Sequence, residues 1–390
     1  MLSPDCMAAA APGRLPACRN GETTMASRLT MRSLLPLKRL IDRRGFLGAG
    51  LAGGSAFLLN TARAGDSSHT ETPHHNGMKH GDNRVVGKVD HQRNGFSPAD
   101  MLTDWDTGDV STTADGRTLR EFQITAVDKE IEIAPGIMFP AWTYNGRVPG
   151  PTLRATEGDL IRITFSNAGS HTHTMHFHGI HSARMDGVPG AGEVPPGASF
   201  TYEFTALPFG CHLYHCHSLP LKRHIHKGLY GAFIVDPDPA RHPDHENVAK
   251  SRLLNTPENK TWQEFVMVMN GFDTNFDDEN EFYAVNSIPF AFLDDAIRIE
   301  RERPIRVYLI NITEFDPINS FHIHANFFDY YDHGTTLEPT LRTVDTVMQC
   351  QAQRGILEFS FADHEPGRYM FHAHQSEFAE LGWMAHFEVV

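Results

Sequence analysis

From Thr118 onward, apolar and polar positions alternate in short runs broken by Gly and Pro. Arg120-Glu-Phe-Gln-Ile-Thr-Ala-Val127, Leu160-Ile-Arg-Ile-Thr-Phe165, Ser199-Phe-Thr-Tyr-Glu-Phe204 and Gly231-Ala-Phe-Ile-Val235 have the period of two that marks strands with one buried face. Turn signals fall at Val148-Pro-Gly-Pro151, Val188-Pro-Gly190 and Pro195-Pro-Gly197. Many short strands with this punctuation predict an all-β sandwich. Asp236-Pro-Asp-Pro239 closes the block, and a polar linker is expected over 239–261. A second block, 262–390, repeats the order, with strands at Glu264-Phe-Val-Met-Val-Met269, Ile305-Arg-Val-Tyr-Leu-Ile310 and Met384-Ala-His-Phe-Glu-Val389. In each block a strand ending in Asn (Asn167, Asn311) precedes a histidine cluster, a late His-x-His and a closing apolar strand. The repeat predicts two homologous domains, 117–238 and 262–390.

Ahead of them the pattern differs. Residues 65–116 are polar, lack apolar periodicity and carry His69, His74, His75, His80 and His91, so a solvated, surface-draped arm is expected. Residues 1–64 read as a targeting region. Arg43-Arg44-Gly-Phe-Leu47 is a twin-arginine pattern, Gly48 to Leu59 is apolar, and Ala62-Arg-Ala64 suits cleavage. This predicts export to the periplasm or beyond. The apolar run is too short and too rich in Gly and Ala for a membrane anchor, so no membrane partner is expected. Residues 1–30 read as an upstream extension, with Met25 or Met31 as candidate starts.

The formal net charge of −14 argues against an electrostatic nucleic-acid binder. Histidine changes the picture more: there are 24, mostly in tight clusters. After the targeting region three cysteines remain, Cys211, Cys216 and Cys350. An odd count in an exported chain asks for a use of one thiol. Cys211 and Cys350 are a candidate pair, though nothing in the sequence brings them together.

Cys216 lies in His215-Cys216-His217. On a strand, His215 and His217 face one way and Cys216 the other, so one strand would serve two metal centres. In His173-Thr-Met-His-Phe-His178, His176 and His178 share a face and His173 takes the opposite one. A blue-copper centre needs two His, a Cys thiolate and a weak axial position. His173 and Cys216 supply two ligands, and His224 is the expected third, with His226 as the competing choice. The axial position falls on Leu229, which cannot ligate, so a three-coordinate copper of raised potential is expected. On the other face stand His176, His178, His215 and His217. The second block adds His322, His324, His372 and His374, again as His-x-His pairs. It carries Asn319 where the first has His173, Ala373 where the first has Cys216, and Phe378 five residues further on. One domain therefore takes in electrons, while both hold the paired histidines.

These motifs resemble those of the multicopper oxidases, the laccase-like enzymes. His173-Thr-Met-His-Phe-His-Gly179 is similar to their H-x-x-H-x-H-G motif, His215-Cys-His217 to H-C-H, and Met185-Asp-Gly-Val-Pro189 through Tyr202 to their first domains. The resemblance covers roughly 117–390, in the two-domain class with the blue copper N-terminal. It implies two cupredoxin-like Greek-key domains and four coppers per chain. Type 1 copper would lie at His173, Cys216 and His224. Type 2 would lie at His176 and His322, and type 3 at His178, His215, His217, His324, His372 and His374. It also implies dioxygen and a small reductant as substrates, with electrons arriving near an exposed edge of His224. The expected assembly is a homotrimer holding each cluster between chains. The segment Ser218–Arg223 is longer than the family's usual spacing, which keeps the choice between His224 and His226 open. Asp186 is the candidate proton relay, with Glu377 and Glu380 as weaker candidates. Two rivals remain: a copper nitrite reductase, which needs only three histidines at its catalytic copper, and a non-catalytic copper-binding cupredoxin module.

Overall fold

The strand Leu160–Asn167 shows how the alternating pattern becomes structure. Ile161, Ile163 and Phe165 point into a core while Arg162 and Thr164 point out. The computed structural model describes residues 87–253 and 261–390, which build two β-sandwiches in sequence. The targeting region, His69, His74, His75 and His80 lie outside the described residues. Among the described residues no helix is long and apolar enough to cross a membrane.

In the first sandwich one sheet orders Trp105–Asp106, Thr152–Thr156, Tyr230–Asp236, Gly210–His215 and His176–Phe177. The facing sheet orders Asp109–Thr112, Thr118–Ala134, Leu160–Asn167 and Ser199–Thr205, with Ile137–Tyr144 paired to the long strand. The second sandwich has a six-stranded sheet centred on Gln263–Phe272, Ile305–Asn311 and Arg354–Phe359. Its other sheet runs Ile297–Ile299, Met384–Val389, Gly367–His372, Ile318–Ile323 and Thr346–Cys350.

Ile305–Asn311 is buried along its whole length, and the reason is that both faces are covered. Ile305, Val307 and Leu309 enter the core of the second sandwich. Tyr308 and Ile310 enter a separate cluster shared with Leu213, Ala232 and Ile234 of the first. The two sandwiches therefore meet sheet to sheet. Gly210–His215 divides its side chains the same way: Cys211 and Leu213 face the second sandwich, whereas Tyr214, and Cys216 just past the strand's end, enter the first core.

Two expectations about connecting segments need correction. The described arm lies on the surface, but from Asn94 it is pinned by buried anchors, and Trp105–Asp106 and Asp109–Thr112 join the sheets of the first sandwich, so that domain begins before residue 117. Phe96 and Met101 join the inter-sandwich cluster, Leu102 joins the second core, and the Asn94 side chain exchanges hydrogen bonds with the Glu132 backbone at 2.8 Å. These anchors are isolated, so they leave no periodic trace in sequence. The expected linker carries a short helix, Glu246–Ser251, with Ala249 buried and the Arg252 carbonyl accepting from Arg154 at 3.0 Å.

That arginine belongs to a buried ion network tying the sandwiches together. Arg154 meets Asp236 at 2.7 Å and Glu264 at 3.1 Å, and Arg306 meets Glu264 at 2.9 Å and Glu358 at 2.8 Å. Burial opposes ionisation of Glu264, yet Arg154 and Arg306 hold its carboxyl below the usual range. Replacing Glu264 by Gln leaves two buried guanidiniums short of charge. Urea unfolding of this variant should show a loss of about 3–5 kcal/mol. A loss below about 1 kcal/mol, the scale of an exposed pair, would mean that the network does not tie the domains.

Candidate metal centres

Cys216 sits just beyond the strand Gly210–His215, its N–H donating to the Leu229 carbonyl at 2.9 Å. Its sulfur is fully buried and accepts the Thr174 N–H at 3.3 Å. Sγ lies 3.2 Å from His224 Nδ1 and 3.9 Å from His173 Nδ1, and the two nitrogens are 3.2 Å apart. Burial pushes both imidazoles down to about 4, so they are neutral, the ligating form, at ordinary pH. The donor set of one sulfur and two neutral imidazoles, buried and free of carboxylate, suits copper. Leu229 is buried against the same site, with its N–H donating to the His224 carbonyl at 3.3 Å.

His226 is placed elsewhere. Its Nε2 accepts the Asp273 N–H at 3.1 Å, and its ring packs on Phe139 and Phe315 of the inter-sandwich region. Both histidines ride on a short helix, Leu221–His226, which accounts for the long spacing after Cys216. The expected exposed edge of His224 is absent. The residue is 2% exposed, and the Trp142 ring lies over it at 4.8 Å while also contacting His173 at 5.3 Å. Trp142 was not among the expected site residues, because an aromatic on a strand otherwise reads as core.

On the opposite face the register His176↔His215 brings the first histidine set together. His176, His178 and His215 place ligand atoms within 4.8 Å of one another, and the His217 ring lies 5.2 Å from that of His176. His215 Nδ1–H donates to the Cys216 carbonyl at 2.9 Å, and His176 Nδ1–H to the Asp186 carbonyl at 2.7 Å. Each bond fixes a tautomer that leaves Nε2 as a bare lone pair. His215 Nε2 lies 2.9 Å from His178 Nε2, close enough for the two to share one proton or one cation. Burial pushes His215 down to about 4 and His178 lower still.

The second sandwich repeats this geometry. The register is His322↔His372, His324 Nε2 and His372 Nε2 are 3.0 Å apart, and His372 Nδ1–H donates to the Ala373 carbonyl at 2.6 Å. His322 Nδ1 bonds the Asp345 carbonyl at 3.0 Å, and the His374 ring lies 5.2 Å from that of His322. Equivalent hydroxyls steady the last histidine of each set: Thr174 Oγ1 accepts the His217 N–H at 2.7 Å, and Ser320 Oγ the His374 N–H at 2.8 Å. Among the described residues no ring contact or hydrogen bond joins the first set to the second. His324 and His374 are exposed.

The position matching the thiolate site is filled. Ala373 is fully buried, Asn319 is turned to Thr313 at 3.0 Å, and Phe378 stacks on Tyr283 at 3.9 Å. Asp186 Oδ1 lies 3.1 Å from His176 Nδ1 and 3.4 Å from His181 Nε2. His181, a neighbour of His176 at 5.1 Å, had no motif to announce it. Glu377 and Glu380 are exposed on the helix Ser376–Glu380 and make no hydrogen bond or ion pair with the histidines among the described residues. Cys211 and Cys350 are both free, the first buried and the second exposed.

Two family models described as "Multicopper oxidase" match residues 126–240 and 255–390. A solved structure titled "Crystal structure of multicopper oxidase" is 55% identical, with a TM-score of 0.70, and the alignment covers 78% of this chain and 100% of that one. Among curated proteins, a copper-containing nitrite reductase of Neisseria meningitidis is 27% identical over 57% of this chain and 58% of its own length. Copper resistance protein A of Escherichia coli is 36% identical over 32% of this chain and 20% of its own length. The matches thus span less than two thirds of these curated relatives.

The two-face arrangement has a direct test. Copper-loaded Cys216→Ser and His224→Ala should lose the thiolate–copper absorption while keeping copper on the histidine sets, read by metal analysis and electron paramagnetic resonance. Loss of all copper from Cys216→Ser would contradict two separate faces.

Proposed function

The chain belongs to the multicopper oxidases, and from that premise we propose a laccase-like oxidase that couples oxidation of a small reductant to reduction of dioxygen to water. His173, Cys216 and His224 would hold one copper. His176 and His322 would hold the type 2 ion, and His178, His215, His217, His324, His372 and His374 the type 3 pair. Bound copper would supply one-electron oxidation at the thiolate site and four-electron oxygen reduction at the histidine cluster. The chain's part is geometric. The peptide bonds on either side of Cys216 join its thiolate to His215 and His217, the shortest covalent path between the two faces. Trp142 excludes water from His224 and His173. Asp186, whose Oδ1 lies 3.1 Å from His176 Nδ1, would hold and pass a proton beside the first set.

The observation that carries this reading is the duplicated histidine set beside a single thiolate. Each set alone is half of a cluster, and the second set opens to solvent. Around it stand exposed apolar side chains, Ile318 and Met348 on the same sheet and Phe327 next to the histidines. Such a patch favours cover by another chain. A homotrimer, in which the first set of one copy meets the second set of the next, supplies that cover. Export by the twin-arginine route is part of the same proposal.

The nitrite reductase alternative draws support from the Neisseria relative, but leaves most of the eight histidines without a role. The two are separated by copper per chain, oxygen uptake and nitrite reduction measured on one sample, with the assembly mass alongside. Four coppers per chain, oxygen uptake and a trimeric mass are expected. Two coppers with nitrite turnover would sink the oxidase.

A further inference from the structure

The helix Leu221–His226, which carries His224, is too short to be stable alone, and its first turn has no side-chain cap. Domain 1 holds it through Trp142 over His224 and Phe139 against His226, and the second domain adds contacts of its own. The Asp273 N–H donates to His226 Nε2 at 3.1 Å, with both residues buried. Lys222 meets Asp278 at 2.7 Å. Phe276 lies beneath Lys227, 4.6 Å from its ammonium, and beside Arg223 at 5.9 Å. Its ring also reaches His226 at 5.9 Å and Phe139 at 6.2 Å.

The loop making these contacts is itself densely hydrogen-bonded. The Asp273 carboxylate accepts the backbone N–H groups of Phe276, Asp277 and Asp278, and Glu281 accepts those of the Thr274 backbone and hydroxyl. Phe276 and Asp278 are held at φ of 65° and 76°, a conformation unfavourable for non-glycine residues that persists only where the surroundings impose it.

We propose that this loop, Asp273 to Glu281, is a cross-domain brace, with Phe276 and His226 as positioning residues that set the angle of the His224 ring toward Cys216. Domain 2, which lacks a thiolate site of its own, would thereby govern the geometry of the one in domain 1. The inference rests on the reading that His224 holds copper.

The test compares His226→Leu and Phe276→Ala with His226→Gln, which keeps an acceptor for the Asp273 N–H. In copper-loaded protein the first two should shift the thiolate–copper spectrum and release that copper to a chelator roughly tenfold faster, with cluster copper unmoved. In copper-free protein the amides of the 221–226 helix should exchange hydrogen faster. His226→Gln should restore both readouts. Unchanged exchange in the helix would overturn the brace, and so would equal loss of all coppers, the mark of general destabilisation. Absence of oxygen uptake would count against the oxidase and leave the exchange result intact, so the two failures are distinguishable.

Discussion

The opposite facing of adjacent side chains on one strand is the constraint from which the rest follows. His215 ends the strand, Cys216 just beyond it enters the domain 1 core, and His217 returns to the side of His215 and His176, so the alternation of the strand carries on past its last residue. A slip of one residue would exchange the thiolate for an imidazole and dismantle both sets at once. The register is accordingly held from both edges, by His176 on one neighbour and Tyr230 on the other. The Cys216 N–H extends that pairing beyond the strand to Leu229. Two centres thus share one backbone, and neither can be moved without the other.

The same alternation decides which faces need cover. In domain 1, the side of Gly210–His215 away from its own core carries Cys211 and Leu213, and the six-stranded sheet of domain 2 buries them. The Arg154, Glu264 and Arg306 network closes one margin of that contact, and the Asp273–His226 bond lies at another. Domain 2 has the matching face on Gly367–His372, where Phe371 and Ala373 point inward and His374 points to solvent. Among the described residues, none performs there the service that domain 2 performs for domain 1. Incomplete burial at the second histidine set is therefore a consequence of topology.

What was legible in sequence follows from these periods. His-x-His pairs reveal their common face because a strand repeats every two residues, and the exchange of Cys216 for Ala373 is visible because the domains repeat. His224 and His226 could not be separated that way, since on a strand they are equivalent. On the helix they occupy, two residues turn through about 200°, so one faces Cys216 and the other the domain interface. Trp142 and the arm anchors Phe96, Met101 and Leu102 were missed for another reason. Each acts through a tertiary contact made by an isolated residue, and neither spacing nor composition encodes such a contact. His181 approaches Asp186 through the bend after the histidine motif, which local patterning does not reveal.

Domain 2 shows what survives when one duty is dropped. Ser320 still holds the His374 backbone as Thr174 holds that of His217, and the Ala373 carbonyl still orients His372. The histidine face has the same supports as in domain 1, while the opposite face is packed differently. Phe378 stacks on Tyr283, and Asn319 turns inward to Thr313 instead of offering an imidazole. Trp383 reinforces the change, its indole donating to the Ser320 carbonyl at 3.1 Å and its own carbonyl accepting the Ala373 N–H. A cysteine returned to position 373 would meet aromatic packing and a single amide, with no imidazole to share a metal. The supports of the histidine face are therefore independent of the side chain on the other face: His372 is oriented by the backbone carbonyl of residue 373 and His374 by Ser320, and neither bond involves the side chain at position 373.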